Sequence, residues 1–266
     1  MTLTDGNVLV TGATGGIGHA IARAFAARGA SLVLTGRRLE ALEPLAKEVG
    51  GRAVACDLSD REQVARLGGE MQAIGLDVLV ANAALPASGL LTELTQEQVD
   101  RMLEVNLRAP IALAHALAPG MIERRRGHMV FISSLAGKVA SPSSSLYSAT
   151  KFGLRGFALG LREDLRAHGV GVSTVFPGFI RDAGMFADAG AIELPPGVTT
   201  KSPEDVAAAV LRAIERNRAE VDVAPLPLRL GATFAGIAPQ VAASVSRRAG
   251  SAQVAADLAA GQVDKR

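Results

Sequence analysis

The pattern that most constrains the fold of this chain is a repeated alternation of short apolar runs with longer helical segments. Because parallel strands need long crossover connections, which are usually helices, this alternation is typical of βαβ units. The sequence predicts an α/β fold, a doubly wound three-layer sandwich around a mostly parallel seven-stranded sheet. The seven predicted strands cover residues 7–10, 31–35, 52–56, 77–81, 128–133, 170–176 and 219–223.

Helical periodicity fills the intervals between most of these strands. The longest predicted helix contains Pro110, which is expected to bend it because proline has no N–H to donate. Another helix begins near Pro203, where Ser202 is a good N-cap and acidic residues follow in the first turn. The predicted helices before this one cover residues 17–28, 39–49, 95–124 and 145–168, and the third of them contains Pro110.

The chain length of 266 residues fits one large α/β domain. We predict a single domain over residues 1–266, with its core at residues 7–223. Residues 179–200 follow a strand and show no clean period, so they are predicted to form an irregular insertion that serves as a lid over a pocket. Residues 225–266 are rich in alanine and are predicted to form a helical C-terminal extension.

Composition and charge argue against several classes of protein. The net charge of +2 is weak, so no nucleic-acid partner is expected. A single cysteine, Cys56, cannot form an internal disulfide, and no signal peptide is visible, so we expect a cytoplasmic location. The four histidines lie far apart, so no metal site is predicted. The uncharged residues 230–246 are too few and too weakly apolar for a transmembrane segment.

A glycine cluster follows the first predicted strand and precedes the first predicted helix. Glycines let the backbone turn tightly and approach a pyrophosphate, and a helix N-terminus supplies free N–H groups and partial positive charge. The cluster therefore predicts a nucleotide-binding turn, although a plain strand–helix turn is the alternative. The residues predicted to bind the nucleotide here are Gly12, Thr14, Gly15, Gly16, Ile17 and Gly18.

The residues after the second predicted strand indicate which nucleotide is bound. An NAD site typically has an acidic residue for the ribose hydroxyls, whereas this chain has Arg37 and Arg38 and no carboxylate before Glu40. Guanidinium groups bind phosphate bidentately, and cations are unfavourable near a helix N-terminus unless an anion pairs with them. We therefore predict NADP(H) in preference to NAD(H). The alternative is that both arginines only decorate the start of a helix.

The only tyrosine of the chain, Tyr147, precedes Lys151 by four residues, so both lie on one helical face. A phenol has a pKa near 10 and is a poor base at neutral pH. A neighbouring ammonium group and a bound oxidised nicotinamide would both lower the pKa of Tyr147. The tyrosine could then exchange a proton with a carbonyl or alcohol oxygen as hydride moves. For this pair alone, an ordinary amphipathic helix is the alternative.

Together these motifs resemble the compact branch of the short-chain dehydrogenase/reductase family, which implies a Rossmann-like fold. The glycine cluster matches the TGxxxGIG turn of that family, and Tyr147 with Lys151 matches its YxxxK motif. The similarity covers residues 7–223. Further positions match in order: the active-site serine at Ser134, the asparagine segment at Asn106, the adenine-pocket acid at Asp57 with Leu58, and the nicotinamide-side turn at Pro177 with Gly178.

The resemblance implies catalytic roles for four residues. Tyr147 would be the general acid/base, and Lys151 would lower its pKa and bind the nicotinamide ribose. Ser134 would hydrogen-bond the substrate oxygen, with Ser133 as the alternative. Asn106 would hold a water molecule that links Lys151 to solvent. The resemblance also implies cofactor contacts for Asp57, Leu58, Asn82, Ala83, Tyr147, Lys151, Pro177, Gly178 and Ile180.

Two positions depart from the family pattern. Ala84 stands where the family has a glycine, which matters if that position needs positive φ. Asp182 stands near the place of a threonine that contacts the nicotinamide carboxamide, and its charge would be unfavourable near a pyrophosphate. Asn82 keeps the residue type expected to bond neighbouring strand backbone.

From these observations we predict a carbonyl reductase or alcohol dehydrogenase that prefers NADPH. The apolar residues of the insertion, Met185, Phe186, Ile192 and Leu194, favour an apolar substrate. The alternative is an NADP(H)-binding sensor without turnover. The tail residues Leu226, Leu228, Leu230 and Phe234 allow a further hypothesis, contact with a membrane surface. A homo-oligomer, a dimer or a tetramer, is expected from the resemblance.

Overall fold

The computed structural model describes residues 6–86, 89–187, 189, 194, 198–248 and 251–262. Its centre is a sheet of seven parallel strands in the order β3-β2-β1-β4-β5-β6-β7. The predicted doubly wound architecture is confirmed. The strands are β1 (Asn7–Thr11), β2 (Ser31–Gly36), β3 (Arg52–Ala55), β4 (Val78–Ala81), β5 (Gly127–Ile132), β6 (Val170–Pro177) and β7 (Glu220–Val223).

Helices connect the strands and cover both faces of the sheet. They are α1 (Gly16–Ala26), α2 (Leu39–Val49), α3 (Arg61–Ala73), α4 (Gln96–Leu103), α5 (Ala109–Glu123), α6 (Ser145–Arg166), α7 (Gly184–Ala187), α8 (Pro203–Glu215), α9 (Leu226–Ile237), α10 (Pro239–Arg248) and α11 (Ser251–Ala260). The predicted helices are present within a few residues, except that the one predicted over residues 95–124 is divided, and the tail is helical as expected.

Helix α3 was not predicted from the sequence. Asp60 caps it, since its carboxylate accepts hydrogen bonds from the backbone N–H groups of Glu62 and Gln63. Its buried face includes Val64 and Leu67. An acidic N-cap followed by apolar residues at helical spacing is the signal that could have revealed this helix.

The sheet separates two hydrophobic cores. Alternate residues of β1 point to opposite faces, so Val8 and Val10 join one core and Leu9 joins the other. Helices α1 and α8 cover the first face, and α3 and α5 cover the second. Strand β1 pairs with both β2 and β4, so the chain order reverses beside it. Connections leave β1 and β4 toward opposite faces there, which opens a crevice at their carboxyl ends.

The long helix predicted over residues 95–124 is interrupted rather than only bent. A π-helical turn, Glu104–Arg108, separates α4 from α5. Pro110 follows this turn and has no N–H, so the carbonyl of Asn106 loses the donor that an α-helix would supply four residues later. The expected disruption therefore falls one turn before the proline.

The tail is helical where the structure describes it, and the role of residues 179–200 as a lid stays a prediction. Among the described residues between β6 and α8, the only helix is the short α7. Ile192, a predicted lid residue, lies outside the described residues. Leu226, Leu230 and Phe234 on α9 are exposed, whereas Leu228 is half-buried. Within the described ranges, no helix is both long and apolar enough to cross a membrane.

Candidate active site

The turn after β1 brings backbone N–H groups to the crevice. Gly12 has a φ of 64°, and a Cβ atom there would lie 2.7 Å from the Cα of Ala83. A Cβ on Gly18 would lie 2.5 Å from the carbonyl oxygen of Gly12. Helix α1 begins at Gly16 without a side-chain cap and without acidic residues in its first turn. Its first N–H groups and its partial positive charge are therefore available to an anion.

Asn82 fixes the position of this turn against the end of β4. Its Nδ2 donates to the carbonyl oxygens of Thr11 at 3.0 Å and Gly12 at 3.2 Å. The backbone N–H groups of Asn82 and Ala83 both donate to the hydroxyl of Thr11. The predicted bonding of Asn82 to neighbouring strand backbone is present, so its amide holds the nucleotide turn in shape.

A cavity of about 590 Å³ opens at these strand ends. Most of the predicted site residues line it, but Arg38 and Asn106 do not. Sequence reasoning missed several lining residues, among them Arg101, Leu85 and Val105, because no motif marks them. The predicted residues that line the cavity are Gly12, Thr14, Gly15, Gly16, Ile17, Gly18, Arg37, Asp57, Leu58, Asn82, Ala83, Ser134, Tyr147, Lys151, Pro177, Gly178 and Ile180.

The two arginines after β2 have different positions. Arg37 lines the cavity, whereas Arg38 is the exposed N-cap residue of α2 and lies outside the lining. Asp57 faces the same end of the cavity. Burial raises its pKa, but hydrogen bonds from Ser59 and the charges of Arg101 and Arg37 outweigh this and lower the pKa below its usual value. Arg37 and Arg101 both line the cavity, and both act electrostatically on Asp57.

The serine that faces the tyrosine is Ser134. Its hydroxyl lies near enough to the phenol of Tyr147 to lower the pKa of that group, and it accepts from the backbone N–H of Ala136. Ser133 is buried, and its hydroxyl donates to the carbonyl of Lys151 at 3.1 Å. Of the two serines left open by the sequence, the geometry favours Ser134 as the group that shares a ligand oxygen with Tyr147.

Burial dominates the electrostatics of the Tyr147–Lys151 pair. It raises the pKa of Tyr147 to about 12, although the hydrogen bond from Ser134 opposes this shift. Burial also lowers the pKa of Lys151 to about 8. The Nζ of Lys151 lies 5.6 Å from the ring centre of Tyr147 and donates to the carbonyl of Ile132 at 3.0 Å. Without a dinucleotide the pKa of Tyr147 therefore lies above its usual value and the phenol is neutral at pH 7, whereas the sequence predicts a lowered pKa.

Asn106 lies behind the cavity wall rather than on it. Its side chain is buried and bonded in both directions to Leu85: Oδ1 accepts from the backbone N–H at 2.7 Å, and Nδ2 donates to the carbonyl at 2.9 Å. The amide is therefore committed to holding the chain after β4. Pro110, four residues further on, supplies no N–H to the main-chain carbonyl of Asn106.

The two departures from the family pattern have a structural description. Ala84 is not among the residues with positive φ, so no glycine is needed there. Asp182 has a φ of 66°, and its exposed carboxylate lies 3.3 Å from the guanidinium of Arg181. It does not line the cavity, and its charge is paired with that of Arg181.

The residues around the cavity fit a nicotinamide dinucleotide. The glycine turn leaves no room for side chains where a pyrophosphate would approach, and the α1 N-terminus supplies donors for it. Such a cofactor supplies hydride chemistry when it is bound. The neutral phenol and the Ser134 hydroxyl then offer two hydrogen-bond donors to one carbonyl oxygen. Across the described residues, no cluster of three or more His, Cys, Asp or Glu side chains could hold a metal ion.

Comparison with known proteins agrees with this geometry. The family model described as short chain dehydrogenase matches residues 6–193. The chain thus belongs to the short-chain dehydrogenase/reductase family, and it is an NAD(P)-dependent oxidoreductase by that membership.

Individual proteins extend the likeness over most of the chain. It is 40% identical over 185 residues to nodulation protein G of Rhizobium sp. (strain N33), covering 68% of this chain and 76% of that protein. It is 35% identical over 259 residues to dehydrogenase/reductase SDR family member 7B of Xenopus tropicalis, and the match covers 90% of this chain and 84% of that protein. A metagenomic short-chain oxidoreductase solved in complex with NADP is 38% identical, with a TM-score of 0.71, and the match covers 85% of this chain and 99% of that one.

Proposed function

We propose that this protein is an NADPH-preferring reductase that converts an apolar ketone or aldehyde to its alcohol, or catalyses the reverse oxidation. The observation that carries this proposal is the pairing of Ser134 with a neutral Tyr147 at the wall of the cavity. Both hydroxyls donate to the substrate carbonyl oxygen, and Tyr147 gives up its proton as hydride arrives at the carbon.

Lys151 and Asn106 support the proton transfer in this proposal. The ammonium group of Lys151 attracts the phenolate that forms, and as a cavity-lining donor it would bind a ribose hydroxyl of the dinucleotide. A water molecule on the main-chain carbonyl of Asn106 then connects Lys151 to solvent, so the tyrosine can be reprotonated. The amide of Asn106 keeps that carbonyl in place through Leu85.

The preference for NADPH rests on charge at the end of the cavity near β2. Arg37 lines that end, and no carboxylate stands in the sequence between β2 and Glu40. A 2′-phosphate pairs there with a guanidinium group, whereas NADH offers no such partner. Arg101 also lines the cavity and lowers the pKa of Asp57, so it adds to the positive field. That the related metagenomic oxidoreductase is solved with NADP agrees with this proposal.

The apolar character of the substrate rests on apolar side chains in the wall of the cavity. Met185 and Phe186 of α7 line the cavity together with Leu85 and Ile180. The ring of Phe186 packs against that of Phe179 at 5.0 Å. These side chains offer contact area without hydrogen-bonding groups, which favours an apolar substituent beside the carbonyl. Homo-oligomer formation and a cytoplasmic location stay predictions.

The test is oxidation of NADPH and of NADH with a panel of apolar ketones and aldehydes. We expect turnover with NADPH, and a loss of about 10²–10⁴-fold in kcat for Tyr147→Phe, which keeps the ring but removes the proton. Calorimetry should show that this variant still binds NADPH. Tight NADPH binding without turnover on any member of the panel would instead support the rival hypothesis, a dinucleotide sensor.

Cofactor preference has a matched pair of variants. Arg37→Ser should weaken NADPH binding by about tenfold or more and leave NADH binding unchanged, because it removes a charged partner of the 2′-phosphate. Arg38→Ser is the control, since Arg38 does not line the cavity. Equal losses in the two variants would contradict the assignment of Arg37.

A further inference from the structure

The segment after β6 is fixed at its base. The backbone N–H of Lys201 donates to the carbonyl of Phe179, and the backbone N–H of Arg181 donates to the carbonyl of Lys201, both at 2.9 Å. Ile180 and Lys201 thereby form a parallel bridge. The two ends of this segment are therefore held beside the carboxyl end of β6.

Helix α7 lies just beyond this base and touches the nucleotide turn. A Cβ atom on Gly16 would lie 2.4 Å from the Cβ of Ala183, and a Cβ on Gly184 would lie 3.3 Å from the side chain of Ile17. Met185 and Phe186 of the same helix line the cavity. A helix of four residues is not stable by itself, so the contacts around α7 determine its position.

The end of the C-terminal extension supplies one of these contacts. The side-chain Nε2 of Gln262 donates to the main-chain carbonyl of Met185 at 3.0 Å, across 77 residues of sequence. Gln262 is only 2% exposed. The preceding Gly261 lies so close to the chain that a Cβ atom there would be 2.3 Å from the carbonyl oxygen of Ala189. The residues that follow α11 therefore contact α7 through a buried amide and Ala189 through a close backbone approach.

We propose that Gln262 is a positioning residue for the substrate, acting through Met185, and that the C-terminal extension is therefore part of the substrate site. Gln262 does not itself line the cavity. Its amide donates a hydrogen bond to the main-chain carbonyl of Met185 in α7. This bond keeps the side chains of Met185 and Phe186 at a fixed distance from Tyr147. This inference rests on the proposed reductase function for its substrate, but its structural part stands on these contacts alone.

The matched variants are Gln262→Leu, which removes the donor at similar size, and Gln240→Leu, which makes the same change at an exposed site on α10. We expect Gln262→Leu to raise the KM for the best apolar ketone by about three- to tenfold, with kcat changed less than twofold, because one buried hydrogen bond is lost. Gly261→Ala should act in the same direction, since its methyl group would displace the chain end. Gln240→Leu should match the wild type.

Limited proteolysis gives a second measurement that needs no turnover. Chymotrypsin cleavage after Phe186, followed by mass spectrometry, should be faster in Gln262→Leu and Gly261→Ala than in the wild type and Gln240→Leu. If no substrate is found, the proposed function fails while this experiment still tests the contact. Unchanged KM and unchanged cleavage would overturn the inference, and so would a joint fall of kcat and melting temperature, which indicates only a structural role.

Discussion

Lys151 provides the sharpest test of the electrostatics of the site, because it is an ammonium group that is only 2% exposed. Burial lowers its pKa from 10.5 to about 8. A group with a depressed folded-state pKa contributes most to stability above its unfolded pKa, and this contribution is lost as the pH falls through the folded value. Between about pH 10 and pH 7 the loss amounts to about 2.5 kcal/mol.

Replacing Lys151 by Met removes the charge and keeps the length of the side chain. The carbonyl of Ile132 loses its donor, which costs about 1–3 kcal/mol at every pH. The pH-dependent part of the difference therefore isolates the buried charge. We expect the free energy of unfolding of the variant, minus that of the wild type, to fall by about 2 kcal/mol from pH 7 to pH 10.

The assay is urea denaturation at a series of pH values, followed by circular dichroism because the chain has no tryptophan. Lys47→Met is the control, since Lys47 is exposed in the last turn of α2. A Lys151→Met difference that stays constant with pH, or that Lys47→Met reproduces, would refute the reasoning that burial depresses the pKa of Lys151.

Three further predictions follow from contacts away from the reacting atoms. Asn82→Ala should lower the free energy of unfolding by about 1–3 kcal/mol in urea, because two carbonyls lose their donor; no change would contradict this. Burial lowers the pKa of His128 to about 3, and its ring is 2.8 Å from the hydroxyl of Ser173. The neutral ring stabilises the fold above the unfolded pKa, and this contribution is lost as the pH falls. The free energy of unfolding of the wild type should therefore fall by about 2 kcal/mol more between pH 7 and pH 5 than that of His128→Asn. Gly18→Val should weaken NADPH binding by at least about tenfold in calorimetry, since its Cβ would meet the carbonyl of Gly12; wild-type affinity would show that the turn tolerates a side chain.

Local patterns in the sequence were sufficient to predict the sheet and most of its helices. Helix α2 has the predicted bounds, Leu39–Val49, because its apolar spacing and the glycine that follows act within a few residues. Helix α3 was missed because its sequence is weakly apolar, although its acidic N-cap was visible. The break in the long helix falls before Pro110 rather than at it, because the missing N–H affects the carbonyl one turn earlier.

The candidate site was predictable where a short motif carries the chemistry, and not where tertiary packing decides. The motifs indicated that Tyr147 and Ser134 act together, and the structure brings their hydroxyls into contact. The direction of the Tyr147 pKa was wrong for the protein without a dinucleotide, because burial depends on elements distant in sequence. The contact of Gln262 with Met185 has no local signal at all, since 77 residues separate the partners.

The most direct test of the central claim follows the protonation of Tyr147, the only phenol in the chain. Tyrosine labelled with carbon-13 at Cζ gives a single NMR signal whose shift reports ionisation. Without a dinucleotide the phenol should stay protonated beyond the free-phenol pKa near 10, in agreement with burial. Saturating NADP⁺ should bring its pKa below that value, because the positive nicotinamide ring favours the phenolate. A signal that titrates at the same pH with and without NADP⁺ would contradict the role of Tyr147 as the proton donor.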